Sequence, residues 1–278
     1  MRRKLFHTRK RSDRPEVLSA VLGSKLSFAA AEAYKLLRTN LVFALADEQG
    51  CRVIGVTSSL RNEGKSTTSL NLGYSIAETG KQVLVVEADM RLPTFARRLG
   101  IAATPGLSNV LAGWNKAEAV IQKSGLHDNL FSISSGDIPP NPAELLCSNR
   151  MKNFMEEMKS RFDYIILDLP PVTVVSDALI VSPFIHGILV VVRQDYSERR
   201  LLAQAMRQLR FAKIKILGFV LTGSGTRKAY GRYGTGKSYA QNYKYGYGAA
   251  VDIASGDGTV LTEKEEKALD DIISSVKK

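Results

Sequence analysis

Between residues 52 and 223 the chain alternates six short apolar, β-branched runs with longer amphipathic stretches. The runs fall at 52–57, 82–89, 130–134, 163–168, 187–192 and 216–222. Several are apolar at consecutive positions, the pattern of strands covered on both faces. Between them, residues 65–78, 142–159 and 197–211 carry apolar side chains at helical spacing. This alternation predicts an α/β fold, a doubly wound and mainly parallel sheet with helices on both faces. Such sheets bind ligands beyond the carboxyl ends of their strands. Ahead of the core, residues 28–47 read as one further helix, with Leu37, Leu41, Ala44 and Leu45 apolar.

Two segments compete as a phosphate-binding loop. Residues 231–238 (GRYGTGKS) match G-x-x-x-x-G-K-[ST] letter for letter. No strand runs into them, however, and no aliphatic stripe follows, so nothing would aim the loop or supply a helix dipole. That match reads as accidental. Residues 58–67 (SSLRNEGKST) fail the strict pattern, because Ser59 stands where the first glycine belongs. Their context is right, with strand RVIGVT entering and helix KSTTSLNLGYSIAET leaving. In that setting the backbone amides of Arg61, Asn62, Glu63, Gly64, Lys65, Ser66 and Thr67 would wrap phosphates. Lys65 would reach the β- and γ-phosphates, and the Ser66 hydroxyl would bind Mg²⁺.

Taken alone, this is an ordinary strand–turn–helix with a lysine at its start. Two other segments change the balance. VLVVEADMR (residues 83–91) is an apolar strand running out into Glu87, Asp89 and Arg91, and YIILDLPP (164–171) ends its apolar run at Asp168. Three strand ends that bring a lysine, a hydroxyl and several acids to one crevice predict a P-loop NTPase-like nucleotide site, with ATP and Mg²⁺ as its ligands.

With these motifs in place the sequence resembles the bacterial tyrosine kinases of the capsule and exopolysaccharide type. SSLRNEGKST is similar to that family's Walker A, VLVVEADMR to its second Walker motif and YIILDLPP to its Walker B. SGDIPPNPAELL (135–146) resembles the Pro-rich stretch between them, and EAYKLLRTNL (32–41) the N-terminal oligomerisation helix. The resemblance spans roughly residues 25–248. It implies a catalytic set of Lys65, Glu87, Asp89 and Asp168, with Ser66, Asp89 and Asp168 holding the metal or its waters. Either Glu87 or Asp89 would accept the proton of the attacking phenol; Arg91 would order the acids or contact phosphate. The acceptors would be Tyr230, Tyr233, Tyr239, Tyr243, Tyr245 and Tyr247, six of the chain's ten tyrosines in one Gly-rich, flexible tail. Glu32, Lys35 and Arg38 would form ring contacts between subunits. Two positions depart from the family pattern: Glu87 stands for its usual Asp, and Lys35 for the middle Arg of E-x-x-R-x-x-R.

The domains expected on this basis are a basic flexible arm at 1–24 and a kinase domain at 25–223. An autophosphorylated tail at 224–250 and an acidic extension at 251–278, with a short helical pattern at 263–276, would follow. The net charge of +12 is unevenly spread. The arm holds Arg2, Arg3, Lys4, Arg9, Lys10, Arg11 and Arg14 against Asp13, suiting an anionic inner-leaflet contact. Cys51 and Cys147 lie far apart, and His7, His127 and His186 have no partners at metal-ligand spacing, so neither a disulfide framework nor a structural metal is expected. The longest apolar stretch, 179–192, is too short and too interrupted to span a bilayer.

The family resemblance further implies a cytoplasmic setting, peripheral to the plasma membrane through a separate transmembrane polysaccharide co-polymerase, with other protein tyrosines as substrates. No recognisable reading helix points to nucleic acid. Two rival readings stay open. One is a Par/Min-type ATPase switch, although Leu60 stands where those proteins carry a second lysine. The other is a non-catalytic nucleotide-binding adaptor.

Overall fold

The computed structural model describes residues 22–223; the basic arm to residue 21, the tyrosine cluster, the GRYGTGKS match and the 263–276 helical pattern lie outside the described residues. The strands are β1 (Arg52–Ser58), β2 (Val83–Glu87), β3 (Gln122–Lys123), β4 (Leu130–Ile133), β5 (Tyr164–Asp168), β6 (Gly187–Arg193) and β7 (Ile216–Thr222). They form one sheet in the order β3-β4-β2-β5-β1-β6-β7. Every pairing is parallel except the two-residue β3 against β4. The doubly wound sheet expected from the sequence is therefore present.

Successive side chains on a strand face opposite ways, and here both faces are covered. Val53, Leu84, Val86, Ile165, Leu167, Ile188 and Val190 pack into one apolar cluster. Their neighbours Ile54, Val83, Val85, Ile166, Leu189 and Val191 pack into the other. This is why the strands read as continuous apolar runs. On the second face lie α1 (Phe28–Ala44) and α2 (Lys65–Ala77). Gly73 of α2 lets that helix approach β2 closely, since a Cβ there would sit 2.7 Å from Val85 Cγ2. The chain is already packed at Leu22, and the Gly23 amide donates to Asn71 Oδ1 of α2 at 2.9 Å. The expected arm thus gives way to core by residue 22.

The first face carries α4 (Leu107–Ala112), α5 (Pro142–Leu146), α6 (Asn149–Lys159), α7 (Asp177–Ile180) and α8 (Arg199–Phe211), while α3 (Phe95–Leu99) follows β2. In α8 the buried positions are Leu202, Ala205, Met206 and Leu209, one helical stripe. The single helix expected over 142–159 is two. Ser148 accepts a hydrogen bond from the Met151 amide at 3.3 Å and so caps α6, restarting the chain after Cys147.

The Pro-rich segment after β4 is locked against the loop before α4. A Cβ on Gly106 would lie 2.3 Å from both Gly136 N and Ser134 O, backbone atoms with no freedom to rotate away. Gly106→Ala is expected to destabilise the fold by about 3 kcal/mol, at the upper end of overpacking effects. Urea denaturation checks it; a loss under about 1 kcal/mol would contradict this packing.

Candidate functional site

The sheet order sets β2, β5 and β1 side by side, so their carboxyl ends open on one crevice. Asp168 is in register with Glu87 on one neighbour and Val56 on the other. The SSLRNEGKST loop leaves β1 and enters α2 at Lys65. Asn62 and Gly64 turn the loop at φ 62° and 101°, left-handed values that asparagine and glycine tolerate best. Because α2 begins at Lys65, the amides of Gly64 through Thr67 belong to the helix start that lacks intrahelical acceptors. Helix starts of this kind attract phosphate.

Lys65 is 8% exposed and lies near enough to Asp89 and Asp168 to attract both. Asp168 is fully buried, and burial pushes its carboxyl up to about 6, against the pull of Lys65 and of the nearby Ser66 and Ser69 hydroxyls. Ser69 Oγ donates to Asp168 Oδ1 at 3.2 Å. The other oxygen, Oδ2, is buried and has no hydrogen-bond partner among the described residues. An orphaned carboxylate oxygen beside the Ser66 hydroxyl fits a hard cation with its water shell, which is how Mg²⁺ is commonly held. Among the described residues no group of three or more His, Cys, Asp or Glu side chains is placed to hold a metal by itself.

Asp89 lies two residues beyond the end of β2, accepts from the Leu92 amide at 3.2 Å, and is raised by burial despite Lys65. It lines a small cleft with Arg61, Arg91, Leu92, Pro171 and Val174. Leu92 and Val174 are each 49% exposed, giving the cleft an apolar wall beside a carboxylate. Arg91 does not reach freely into the site. Its guanidinium spans both oxygens of the buried Asp177, the first residue of α7, at 3.4 Å.

Glu87 sits differently from its neighbours. Its Oε1 accepts from the amides of Thr94 and Phe95 (2.8 Å for Phe95), and its Oε2 from the Ser135 amide at 3.1 Å. Burial raises the carboxyl to about 7, with the three amides opposing that rise and Asp168 adding to it. The longer glutamate arm thus ties the loops after β2 and β4 to one strand end.

The Glu63 side chain, read from the sequence only as part of a phosphate loop, turns inward and is wholly buried. Its carboxylate accepts from Leu60 N–H at 2.7 Å, from Ser59 Oγ at 3.0 Å and from Ser197 Oγ. Ser59, the residue that breaks the glycine pattern, is therefore a partner inside the loop. Thr67 accepts from Arg98 Nη1 at 3.0 Å, and the half-buried Arg98 is attracted to Asp168 and Glu87. Arg98, Asp177, Ser197 and Thr222 belong to no motif; each meets the site through a contact 31 to 159 residues distant in sequence.

On α1, Lys35 pairs with Glu32 at 2.8 Å on the exposed face. Arg38 instead donates to the Ser75 carbonyl of α2 in the same chain. The six candidate acceptor tyrosines lie outside the described residues.

A family model described as an AAA domain matches residues 51–210. The tyrosine-protein kinase YwqD of Bacillus subtilis is 38% identical over 213 residues, covering 76% of this chain and 89% of that one. Several longer tyrosine-kinase relatives match at 34% identity, and the chain spans 26–31% of their length. Among solved structures, the kinase domain of Escherichia coli tyrosine kinase ETK aligns with a TM-score of 0.68 and 32% identity, over 75% of this chain and 80% of that one. The septum site-determining protein MinD of Pyrococcus horikoshii, complexed with Mg-ADP, shares the fold at a TM-score of 0.52 and 24% identity, over 62% of this chain and 70% of that one.

Proposed function

The chain belongs to the family of bacterial tyrosine-protein kinases, and from that premise we propose that it phosphorylates tyrosines of its own tail with ATP and Mg²⁺. The observation that carries this reading is the meeting of Lys65, Ser66, Asp89 and Asp168 at three adjacent strand ends, with Asp168 Oδ2 having no hydrogen-bond partner among the described residues. Lys65 and the loop amides hold the triphosphate. Ser66, Asp168 and Asp89 hold Mg²⁺ or its waters, and the ion when bound neutralises phosphate charge. A tyrosine ring enters along Leu92 and Val174, its hydroxyl toward Asp89. The phenol oxygen bonds to the γ-phosphorus, the bond to the β-phosphate bridging oxygen breaks, and ADP leaves. Asp89 takes the phenol proton; the Glu87 oxygens are engaged by three amides, so Glu87 acts by holding loops. A phenol has a pKa near ~10, and a carboxylate raised above its ordinary value is the better base for it.

Self-association fits the surface of α1, where Phe28, Leu36 and Phe43 are 82%, 62% and 74% exposed. A ring built on that face, with Glu32 and Lys35 at its contacts and Arg38 holding α1 to α2, would deliver one subunit's tail to its neighbour's site. Among the described residues no helix is long and apolar enough to cross a membrane. Attachment to a separate transmembrane co-polymerase at the inner leaflet, and control of capsule or exopolysaccharide synthesis, follow from the family reading.

The test is incubation of the full chain with ATP and Mg²⁺, with and without the cytoplasmic segment of the co-polymerase, followed by phosphosite mapping. Phosphotyrosine within 230–247, lost when those six tyrosines become Phe, is the expected result. ATP hydrolysis without phosphotyrosine under either condition would favour a nucleotide switch.

A further inference from the structure

The outer side of the phosphate loop is clamped by residues that the catalytic scheme does not use. Thr222, the last residue of β7, donates its hydroxyl to the Glu63 carbonyl at 2.6 Å. Arg193, at the end of β6, donates from Nη1 to the Asn62 carbonyl at 3.0 Å. Ser197, just before α8, donates to the Glu63 carboxylate and accepts from the Arg193 amide at 2.8 Å. The two strand ends are joined to each other, since the Gln194 amide donates to the Thr222 carbonyl at 2.9 Å. Thr222 also abuts Gly64, where an added Cβ would lie 3.3 Å from Thr222 Cγ2.

Glu63 stands between two left-handed residues, Asn62 and Gly64. Outside partners help to hold that conformation, because Asn62 sits in a region that residues other than glycine visit infrequently and Gly64 leaves the next position free to swing. The inner side of the loop must stay clear for phosphate, so the holding falls to the outer side.

We propose that Thr222 is a positioning residue for nucleotide binding: its hydroxyl, acting through the Glu63 carbonyl with Ser197 on the Glu63 carboxylate, pre-sets the phosphate loop. The chain passes from Thr222 through Gly223 into residues 224–250, which carry the candidate acceptors. Nucleotide affinity is therefore coupled to the root of the tail, and the coupling runs both ways. This inference rests on the nucleotide-site reading above.

The experiment titrates Mg-ADP into the full chain by calorimetry for wild type, Thr222→Val, Thr222→Ser and Ser197→Ala. Valine keeps the shape and removes the hydroxyl; serine keeps the hydroxyl. Thr222→Val is expected to raise the Kd about tenfold, the effect of one net hydrogen bond. Ser197→Ala should move it the same way, and Thr222→Ser should stay within about twofold of wild type. In turnover, Thr222→Val should raise the KM for ATP by a similar factor with kcat within about twofold. Bound Mg-ADP should also slow amide exchange at residues 221–223 in wild type and do so less in Thr222→Val.

A Kd unchanged in both Thr222→Val and Ser197→Ala would overturn the proposal. So would a Thr222→Ser variant as weak as Thr222→Val, which would assign the effect to the lost methyl. If Thr222→Val does not fold, Ser197→Ala decides by the same criterion. Wild type failing to bind Mg-ADP would instead sink the nucleotide-site reading, and the wild-type titration alone reports it.

Discussion

Lys65→Met is expected to reduce tyrosine phosphorylation by about 10²–10³-fold while leaving the domain folded. The size follows from removing one preorganised positive group aimed at charge that shifts during phosphoryl transfer. The fold should survive because Lys65 lies at the first turn of α2 in a largely buried slot, where an unbranched methionine of similar length packs without strain. Losing the cation has a second effect. Lys65 is the largest influence pulling the Asp89 and Asp168 carboxyls back down. Without it both titrate still higher, so residual activity should move to higher pH. Quantitative phosphotyrosine measurement at pH 6.5, 7.5 and 8.5 on a variant of native circular dichroism checks both points. Activity within tenfold of wild type would remove Lys65 from the mechanism.

Asp168→Asn should separate stability from activity. In the folded chain the Asp168 carboxyl is raised to about 6 from an ordinary 3.8, mainly by complete burial. For an acid whose folded value is raised, the neutral form is favoured on folding. The stability it carries is fully present below about pH 4 and is lost as pH rises through about 6. Near pH 8 the wild type therefore holds a buried charge, at a cost of roughly 3 kcal/mol for a carboxyl displaced that far from its ordinary value. Asparagine carries none. Asp168→Asn is expected to raise Tm at pH 8 by several degrees, on the order of 2–4 °C per kcal/mol for a domain of this size. The gain should shrink toward pH 4. Phosphotyrosine formation should fall by about 10²-fold or more, and Mg-ADP should stabilise wild type more than the variant. Differential scanning calorimetry across that pH range is the check. A Tm gain that does not depend on pH would show that the buried charge is not its source.

The sequence carries the sheet well because its strands are buried on both faces. All six expected strands are present within two residues, and β2 ends early, at Glu87, because Asp89 turns out of the ladder to accept from Leu92. Local polar competition is harder to read. Ser148 resembles an ordinary position within a helix over 142–159, yet its hydroxyl restarts the chain as α6. The helices α3, α4 and α7 have four to six residues, too few to show a period. At the site, motif spacing brings Lys65, Ser66, Asp89 and Asp168 to one crevice. It does not tell a carboxylate that faces a ligand from one that faces backbone. Glu63 reads from the sequence as part of the phosphate loop and Glu87 as a catalytic charge; in the structure both carboxylates accept from internal donors. Nor does spacing reveal Thr222 or Ser197, whose partner Glu63 is 159 and 134 residues away.

The triple grip of Glu87 also bears on how such a chain can drift over generations. One carboxylate fastens the turn that follows its own strand and the Pro-rich turn that follows another. A shorter acid could not span both anchorages unless one turn moved inward to meet it. Substitution at this position and remodelling of either turn are therefore tied together as inherited changes. A lineage that lengthened the arm here would keep it for as long as those two turns kept their present course.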